Sequence, residues 1–334
     1  MIFLIVLLLG IYAFIVVFIY QEVMNSKINI LLKFFFVLFL VVFLMSVAYY
    51  REKQISKDSL EGSILSPLAA PIQQGVAMIH YITKVQRLES AIKPVFRNEE
   101  GTYAIGIKNL KTGDEYYYNQ TRKFDAASIY KLWVMATVFQ FIQEGKLSPT
   151  KVLSQDIASL NKTFGIASES AELKEGAISL TAIDAVEQMI EISSNYAAYL
   201  LTSIVKVTPI TIFINLLGLT HSSMEADPYT TVADITLFYE KLYKGEIVSP
   251  TASAEMLAIL KKQQLNDRIP KYLSDGVDIA HKTGELETVK HDAGIVYSPK
   301  GNYIIVLMSD TNSPAHAAEI EAQISKKAWE YFNK

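Results

Sequence analysis

The segment Phe-Asp-Ala-Ala-Ser-Ile-Tyr-Lys, residues 124–131, opens the most apolar helical pattern outside the first 50 residues. Apolar side chains recur at helical spacing through residue 142, and Gly145 marks the end of the pattern. Ser128 and Lys131 stand three residues apart, so on a helix they share one face. The segment therefore predicts a buried helix over residues 128–144 that presents a hydroxyl and an amine together.

This hydroxyl and amine have the makings of a nucleophile and its base. A free serine hydroxyl is a poor nucleophile and needs an adjacent base. A lysine can act as that base only if burial or a neighbouring cation lowers its pKa from about 10.4 towards neutrality. At the start of a helix, backbone N–H groups can also stabilise an oxyanion. The apolar helix supplies burial for Lys131, whereas a neighbouring cation has to come from elsewhere in the chain.

The Ser-x-x-Lys spacing by itself carries little information. It occurs five times in the chain, so most copies are accidental whatever the protein does. Their serines are Ser90, Ser128, Ser148, Ser159 and Ser203.

The copy at Ser128 differs because two further motifs follow it in order. Ser193-Ser194-Asn195 falls between two predicted helices, one over residues 183–192 and one from Tyr196. Lys282-Thr283-Gly284 follows a strand predicted over residues 277–280. Decoys of both later motifs exist at residues 159–161 and 111–113, but only the trio that starts at Ser128 has this order and context.

Strand patterns lie at the two ends of the region after residue 84, and helical patterns fill its middle, about 150–262. This order predicts an α/β (α+β) fold, in which one antiparallel sheet is built from both ends of the domain around a helical insertion. The predicted strands cover 102–110, 115–119, 277–280, 293–297 and 303–308, and helices are predicted over 85–96 and 314–332.

The ordered trio resembles that of class A β-lactamases and the related penicillin-binding proteins. The resemblance covers residues 85–334 and implies a β-lactamase-like fold with flanking helices and a helical subdomain. It implies a serine hydrolase that works through an acyl-enzyme, with no metal or other cofactor.

The resemblance also implies a catalytic role for four side chains. Ser128 would be the acylated nucleophile and Lys131 its base. Ser193 would relay a proton to the leaving nitrogen, and Lys282 would supply positive charge that helps to keep Lys131 neutral.

The remaining implied residues bind the substrate. Asn195 would bind the substrate amide, and Thr283 and Gly284 would hold the side of the substrate that carries its carboxylate. The backbone N–H groups of Ser128 and Glu285 would form the oxyanion hole.

The chain departs from the family pattern in three places. A class A β-lactamase has a deacylating glutamate on a long loop between the second and third motifs, whereas residues 219–228 offer only Glu225, which we take as the candidate acid, and Asp227. Ser194 stands where β-lactamases favour aspartate. For the substrate carboxylate, Lys290 and His291 both remain candidates.

These departures leave three functions open. A loop acid would make the protein a β-lactamase that hydrolyses its acyl-enzyme. Without such an acid, it would be a D,D-peptidase-type penicillin-binding protein with slow deacylation. The third possibility is a catalytically silent binding or signalling module. The expected partner is a β-lactam or a peptidoglycan stem peptide.

Composition excludes several other classes of protein. The chain has no cysteine, which removes disulfide scaffolds, thiol nucleophiles and iron–sulfur sites. The five histidines lack HExxH spacing, and neither glycine-rich phosphate motif is present. The net charge of −3 argues against a nucleic-acid partner, since such proteins carry a basic stripe.

The first 50 residues set the chain apart from a soluble protein, because 41 of them are hydrophobic against 51% overall. Residues 1–20 and 28–50 are each long enough to cross a lipid bilayer, and they predict a transmembrane helical hairpin. The small residues at 46–48 are compatible with a cleavage site, so removal of the second hydrophobic segment remains an alternative. We expect residues 51–84 to be a tether, and the domain at 85–334 to face the extracytoplasmic side of a bacterial cell membrane, where the implied substrates lie.

Overall fold

The structure is a computed structural model that describes residues 87–334. The predicted membrane hairpin at 1–50 and tether at 51–84 lie outside the described residues and stay predictions. The domain that the sequence predicts from residue 85 is therefore described from its third residue onward.

A five-stranded antiparallel sheet forms the centre of this domain, in the order β2-β1-β9-β8-β7. The first two strands come from the start of the described chain and the last three from its end, as the sequence predicts. Antiparallel pairing of β1 with β9 joins these ends across about 200 residues of sequence. The strands are β1 Thr102–Asn109, β2 Glu115–Tyr118, β7 Ile279–Glu285, β8 Val289–Val296 and β9 Tyr303–Asp310.

Helices cover both faces of the sheet. One apolar core lies between its inner face and the middle helices, and a second lies between its outer face and the two terminal helices. Helix α1 covers residues 87–96. The others are α2 Lys131–Gln143, α3 Ile157–Thr163, α4 Ala182–Glu191, α5 Asn195–Val205, α6 Val207–Leu216, α7 Val232–Tyr243, α8 Pro250–Leu260 and α9 Pro314–Phe332.

Helix α2 is the central helix of the inner core. Every residue from Lys131 to Phe139 is buried, which explains why the sequence there is apolar on all sides. The predicted helix over 128–144 is nevertheless two elements. Residues Ala127–Tyr130 form a single turn of 3₁₀ helix, and the α-helix begins at Lys131.

Strand β7 is longer than the sequence predicts. The predicted strand ends at residue 280, but the observed strand continues to Glu285, so Lys282-Thr283-Gly284 lies within the strand. Both faces of this strand are covered, and residues 279–284 are all buried. The strand therefore lacks the alternation of polar and apolar residues by which a half-exposed strand is recognised.

Two small two-stranded sheets complete the fold. Strands β3 (Phe124–Asp125) and β6 (Tyr229–Thr230) pair directly before the 3₁₀ turn. Strands β4 (Val152–Asp156) and β5 (Ala177–Thr181) pair in the middle region. The sequence analysis predicts neither pair, because strands of two to five residues carry too little apolar periodicity to be recognised.

Within residues 87–334, no single helix has the length and apolarity needed to cross a bilayer. By those two measures alone, one pair bent by 86° would qualify, Asn195–Val205 with Val207–Leu216.

Candidate active site

Ser128 lies in the 3₁₀ turn that precedes α2. The residue before it, Ala127, has a positive φ of 43°, which is uncommon for a residue with a side chain. Two hydrogen bonds fix this backbone: Ala127 N–H donates to Asp125 Oδ1 at 3.0 Å, and Ala126 N–H donates to the Pro228 carbonyl at 2.7 Å. Strained backbone held by its surroundings is typical of functional sites.

Gly284 lets strand β7 approach this turn closely. A Cβ atom at Gly284 would stand 3.1 Å from Ile129 Cγ1 and 3.3 Å from Ala127 Cβ. These distances are shorter than ordinary van der Waals contacts, so a side chain here would push the turn away from the strand. Gly284 therefore sets the distance between Ser128 and the residues of β7.

The amine of Lys131 is buried at the start of α2 and faces the second motif. Its Nζ atom lies 2.6 Å from the Ser193 carbonyl oxygen, 2.8 Å from Asn195 Oδ1 and 3.2 Å from Ser193 Oγ. Burial lowers the pKa of Lys131 to about 7, against an opposing effect of the nearby Glu172 carboxylate. A neutral amine is thus available near neutral pH, which is what a general base requires.

Lys282 reaches the same place from β7. Its Nζ donates to Ser193 Oγ at 3.0 Å and to the Thr283 carbonyl at 2.7 Å. Burial lowers the pKa of Lys282 well below its usual value, and the charge of Lys131 lowers it further. Repulsion between two ammonium groups is mutual, so burial and the neighbouring amine both disfavour charging this pair of lysines.

Ser193 lies between the two amines. It follows α4 with a positive φ of 58°, and this left-handed residue turns the chain into α5. The next residue, Ser194, is the N-cap of α5 and accepts a hydrogen bond from Ala197 N–H at 3.2 Å. Serine and aspartate are both good N-caps, so Ser194 performs the capping that aspartate would supply at this position.

Asn195 connects Lys131 to an acidic residue that the sequence reading missed. Its Oδ1 contacts Lys131, and its Nδ2 donates to Glu172 Oε1 at 2.5 Å. The loop that carries Glu172 is held by Tyr196, whose hydroxyl lies 2.7 Å from the Leu173 carbonyl oxygen. Glu172 stands in a polar loop without a motif, so no sequence signal marks it.

A pocket of about 440 Å³ lies in front of these groups. Among the predicted site residues, Ser128, Ser193, Asn195, Thr283 and Glu285 line it. Lys131 and Lys282 are buried, and both donate hydrogen bonds to Ser193, which lines the pocket.

The two loop acids differ in their relation to the pocket. Asp227 lines it, whereas Glu225 is exposed and does not belong to the lining. A larger cavity, of about 740 Å³, lies elsewhere in the domain and contains none of the predicted site residues. The structure therefore separates the candidate deacylating acid Glu225 from the residues that it brings together.

His291 and Lys290, the two candidates for binding the substrate carboxylate, contact other groups of the protein. His291 is fully buried; its Nε2 lies 2.9 Å from the Asp125 carbonyl oxygen, and burial lowers its pKa to about 4. Lys290 forms an ion pair with the side chain of Glu285. Arg268, which the sequence reading missed, donates to the same carboxylate at 2.7 Å.

Comparison with protein families identifies the domain. The beta-lactamase enzyme family matches residues 87–332, which include every residue of the site. The chain belongs to this family. A comparison with curated protein sequences found no match.

Solved structures support the family assignment. A β-lactamase from Sphaerobacter thermophilus is 25% identical, with a TM-score of 0.65, and the match covers 74% of this chain and 97% of that one. PBP-A is 24% identical, with a TM-score of 0.64, and the match covers 74% and 95%. The extended-spectrum β-lactamase TLA-3 is 20% identical, with a TM-score of 0.66, and the match covers 75% and 100%. The latter two likenesses concern the fold.

The β-lactamase-like fold predicted from the three motifs is thus confirmed, with its antiparallel sheet and flanking helices. In this member of the family, Lys131, Ser193, Asn195 and Lys282 are in direct contact, and Ser128 opens into the pocket beside them. The chemical roles of these residues remain predictions.

Proposed function

We propose that the protein is a penicillin-recognising serine hydrolase, acylated on Ser128 by β-lactams or by D-Ala-D-Ala-type peptides. One observation carries the proposal: the amines of Lys131 and Lys282 meet at the hydroxyl of Ser193, beside a pocket that Ser128 lines. Such a group of nucleophile, amine and hydroxyl can both remove and deliver a proton.

Acylation then proceeds in three proton transfers. The neutral amine of Lys131 takes the proton of Ser128 Oγ, which attacks the carbonyl carbon of the substrate amide. The backbone N–H groups of Ser128 and Glu285 stabilise the oxyanion that forms. When the C–N bond breaks, the leaving nitrogen takes a proton from the Ser193 hydroxyl, which recovers one from the ammonium of Lys131.

The fate of the acyl-enzyme depends on whether an acid activates water. The exposed position of Glu225 outside the pocket favours slow deacylation, as in a D,D-peptidase-type penicillin-binding protein. Asp227 lines the pocket and is the alternative acid for rapid, β-lactamase-like hydrolysis. A D,D-peptidase-type protein that is acylated in the same way but deacylates slowly is therefore our second candidate function.

A labelling time course with fluorescent penicillin tests the proposal. We expect the full-length chain to be labelled and the Ser128→Ala variant to remain unlabelled. Ser148→Ala is the matched control, because it removes the exposed serine of another Ser-x-x-Lys copy. Label that persists for hours indicates slow deacylation, and label that is lost within seconds indicates β-lactamase action. Absence of both labelling and cephalosporin cleavage would refute the enzyme and favour the silent module.

We also propose that residues 1–50 anchor the domain in a bacterial cell membrane, with residues 85–334 on the extracytoplasmic side. The hydrophobicity of the first 50 residues supports this proposal. Because the chain has no cysteine, a single Glu255→Cys variant provides a clean probe of an exposed position. A membrane-impermeant maleimide should label it in intact cells; labelling only after lysis would refute the orientation.

A further inference from the structure

Two cations lie buried beside the pocket, on the side of strand β7. The Arg268 side chain, from the segment between α8 and β7, is 1% exposed, and that of Lys290, on β8, is 10% exposed. Buried charges are costly unless an opposite charge compensates them. Each therefore needs a partner within reach.

Glu285 is the partner of both. One carboxylate oxygen lies 2.7 Å from Arg268 Nη2, and the other forms an ion pair with Lys290 Nζ. The Glu285 side chain is 55% exposed and lines the pocket, whereas neither cation is part of the lining. The Glu285 carboxylate thus stands between the pocket and two buried positive charges.

The other groups around these cations do not face the pocket. Arg268 Nη1 donates to the His291 carbonyl at 3.1 Å, and its Nε lies 3.4 Å from the exposed Asp267 carboxylate. Asp292 is fully buried; its carboxylate accepts a hydrogen bond from the Ile269 N–H and is hydrogen-bonded to His281 Nδ1. Of the acids near Arg268, Glu285 alone belongs to the pocket lining.

We propose that Glu285 is a specificity-determining residue: it fills an anion subsite formed by Arg268 and Lys290, and so disfavours substrates with a free carboxylate beside β7. A carboxylate can use this subsite only by expelling Glu285 and lying next to its charge, and like charges brought together are strongly unfavourable. An ester or a carboxamide at the same position carries no charge and avoids this penalty. The inference rests on the proposed acylation of Ser128.

Acylation by benzylpenicillin and by its methyl ester tests the inference, because the two compounds differ in this charge. Second-order rate constants are measured with the full-length chain, its Glu285→Gln variant and a Glu287→Gln control. Glu287 is exposed on the turn after β7 and outside the pocket lining. We expect Glu285→Gln to raise the rate with benzylpenicillin at least about tenfold, with the ester changed less than about twofold. Glu287→Gln should change neither rate.

The other possible results bear either on this inference or on the proposed function. Equal changes for acid and ester, or a slower reaction of the acid alone, would overturn the inference and make Glu285 a structural counter-ion. If neither compound acylates any variant, the proposed function fails. The subsite is then examined by thermal shift of Ser128→Ala and Ser128→Ala/Glu285→Gln with benzylpenicillin and its ester. A larger shift by the acid only after removal of Glu285 supports the inference, and equal shifts refute it.

Discussion

Lys131 and Lys282 donate to the same atom, the hydroxyl oxygen of Ser193, at 3.2 and 3.0 Å. Burial lowers the pKa of both amines, and the charge of Lys131 lowers that of Lys282 further. A site in which both amines are charged would be costly, because two like charges would share one acceptor away from water. The pair is thus suited to pass a single proton through Ser193.

The first prediction concerns the pH dependence of acylation. Lys131 acts as a base only when neutral, so the rate should rise with pH with a midpoint at about 7. Glu172 raises the pKa of Lys131, so Glu172→Gln, which keeps an acceptor for Asn195 but removes the charge, should move the midpoint to lower pH. Labelling rates between pH 5 and 9 measure this shift. Glu175→Gln, on the same loop, is the control, and an unmoved midpoint in Glu172→Gln would exclude electrostatic coupling.

The second prediction concerns the close approach of β7 to the nucleophile. Gly284→Ala introduces a Cβ 3.1 Å from Ile129 Cγ1, so the turn that carries Ser128 has to move. We expect a loss of stability of about 1–3 kcal/mol and a fall in acylation rate of at least about tenfold, equivalent to about 1.4 kcal/mol of activation free energy. Thermal denaturation and labelling rate are the two measurements. Labelling at the wild-type rate would show that the turn accommodates the extra methyl group.

The third prediction concerns Glu321, a fully buried carboxyl that accepts a hydrogen bond from Ser309 at 3.0 Å. Burial raises its pKa well above the usual value, with Arg268 opposing. The folded state therefore binds this proton more tightly than the unfolded state, and the stability it contributes is lost as the pH rises through the folded pKa.

Glu321→Gln should remove this dependence. Relative to its effect at pH 5, the substitution should stabilise the protein at pH 9, because glutamine cannot ionise, whereas folding opposes ionisation of the buried glutamate. Thermal denaturation at both pH values measures the difference. Glu319→Gln removes a partly exposed acid on the same helix, whose pKa is lowered to about 2 by Lys271 and other hydrogen-bond partners, and should show no such gain. Equal effects of Glu321→Gln at both pH values would contradict the buried, protonated state.

The fourth prediction concerns the loop that carries Glu172. The buried Tyr196 hydroxyl lies 2.7 Å from the Leu173 carbonyl oxygen and accepts from the Leu173 N–H at 3.0 Å. Tyr196→Phe leaves the Leu173 N–H without this acceptor, whereas the Leu173 carbonyl keeps the hydrogen bond that Asn161 Nδ2 donates at 2.8 Å. The substitution should cost about 1–3 kcal/mol. It should also speed proteolysis within residues 164–176. Tyr199→Phe is the control for stability, because the described residues supply no hydrogen bond for the Tyr199 hydroxyl. Equal losses of stability in both variants would show that the Tyr196 hydroxyl does not hold the loop.

Local sequence was sufficient for several parts of the site. Neighbouring residues are enough to give the spacing of Ser128 and Lys131, the helix boundary before Ser193 and a strand that begins before Lys282. Their order along the chain pointed to the family, and the family match confirms it. The sheet from both ends of the domain was also predictable, because each strand has its own apolar pattern and the order of elements restricts how they pair.

Other parts depended on contacts that no local pattern encodes. Glu172 and Arg268 stand in segments without motifs, and they belong to the site only because the loop 164–176 and the segment before β7 fold beside it. Strand β7 extends through Lys282 because both of its faces are covered, and such burial hides the polar alternation that marks a strand.

The sequence by itself determined which chemical groups this protein possesses and the order in which the helices and strands present them. Tertiary structure alone decided which charges meet: Glu285 with Arg268 and Lys290, and two lysines at one serine. The physical reason is that helix and strand patterns arise from neighbours a few residues apart, whereas ion pairs and burial depend on packing between distant segments. The pKa of a lysine follows from that packing, so the same residue is an ordinary cation on a surface and a candidate base in this pocket.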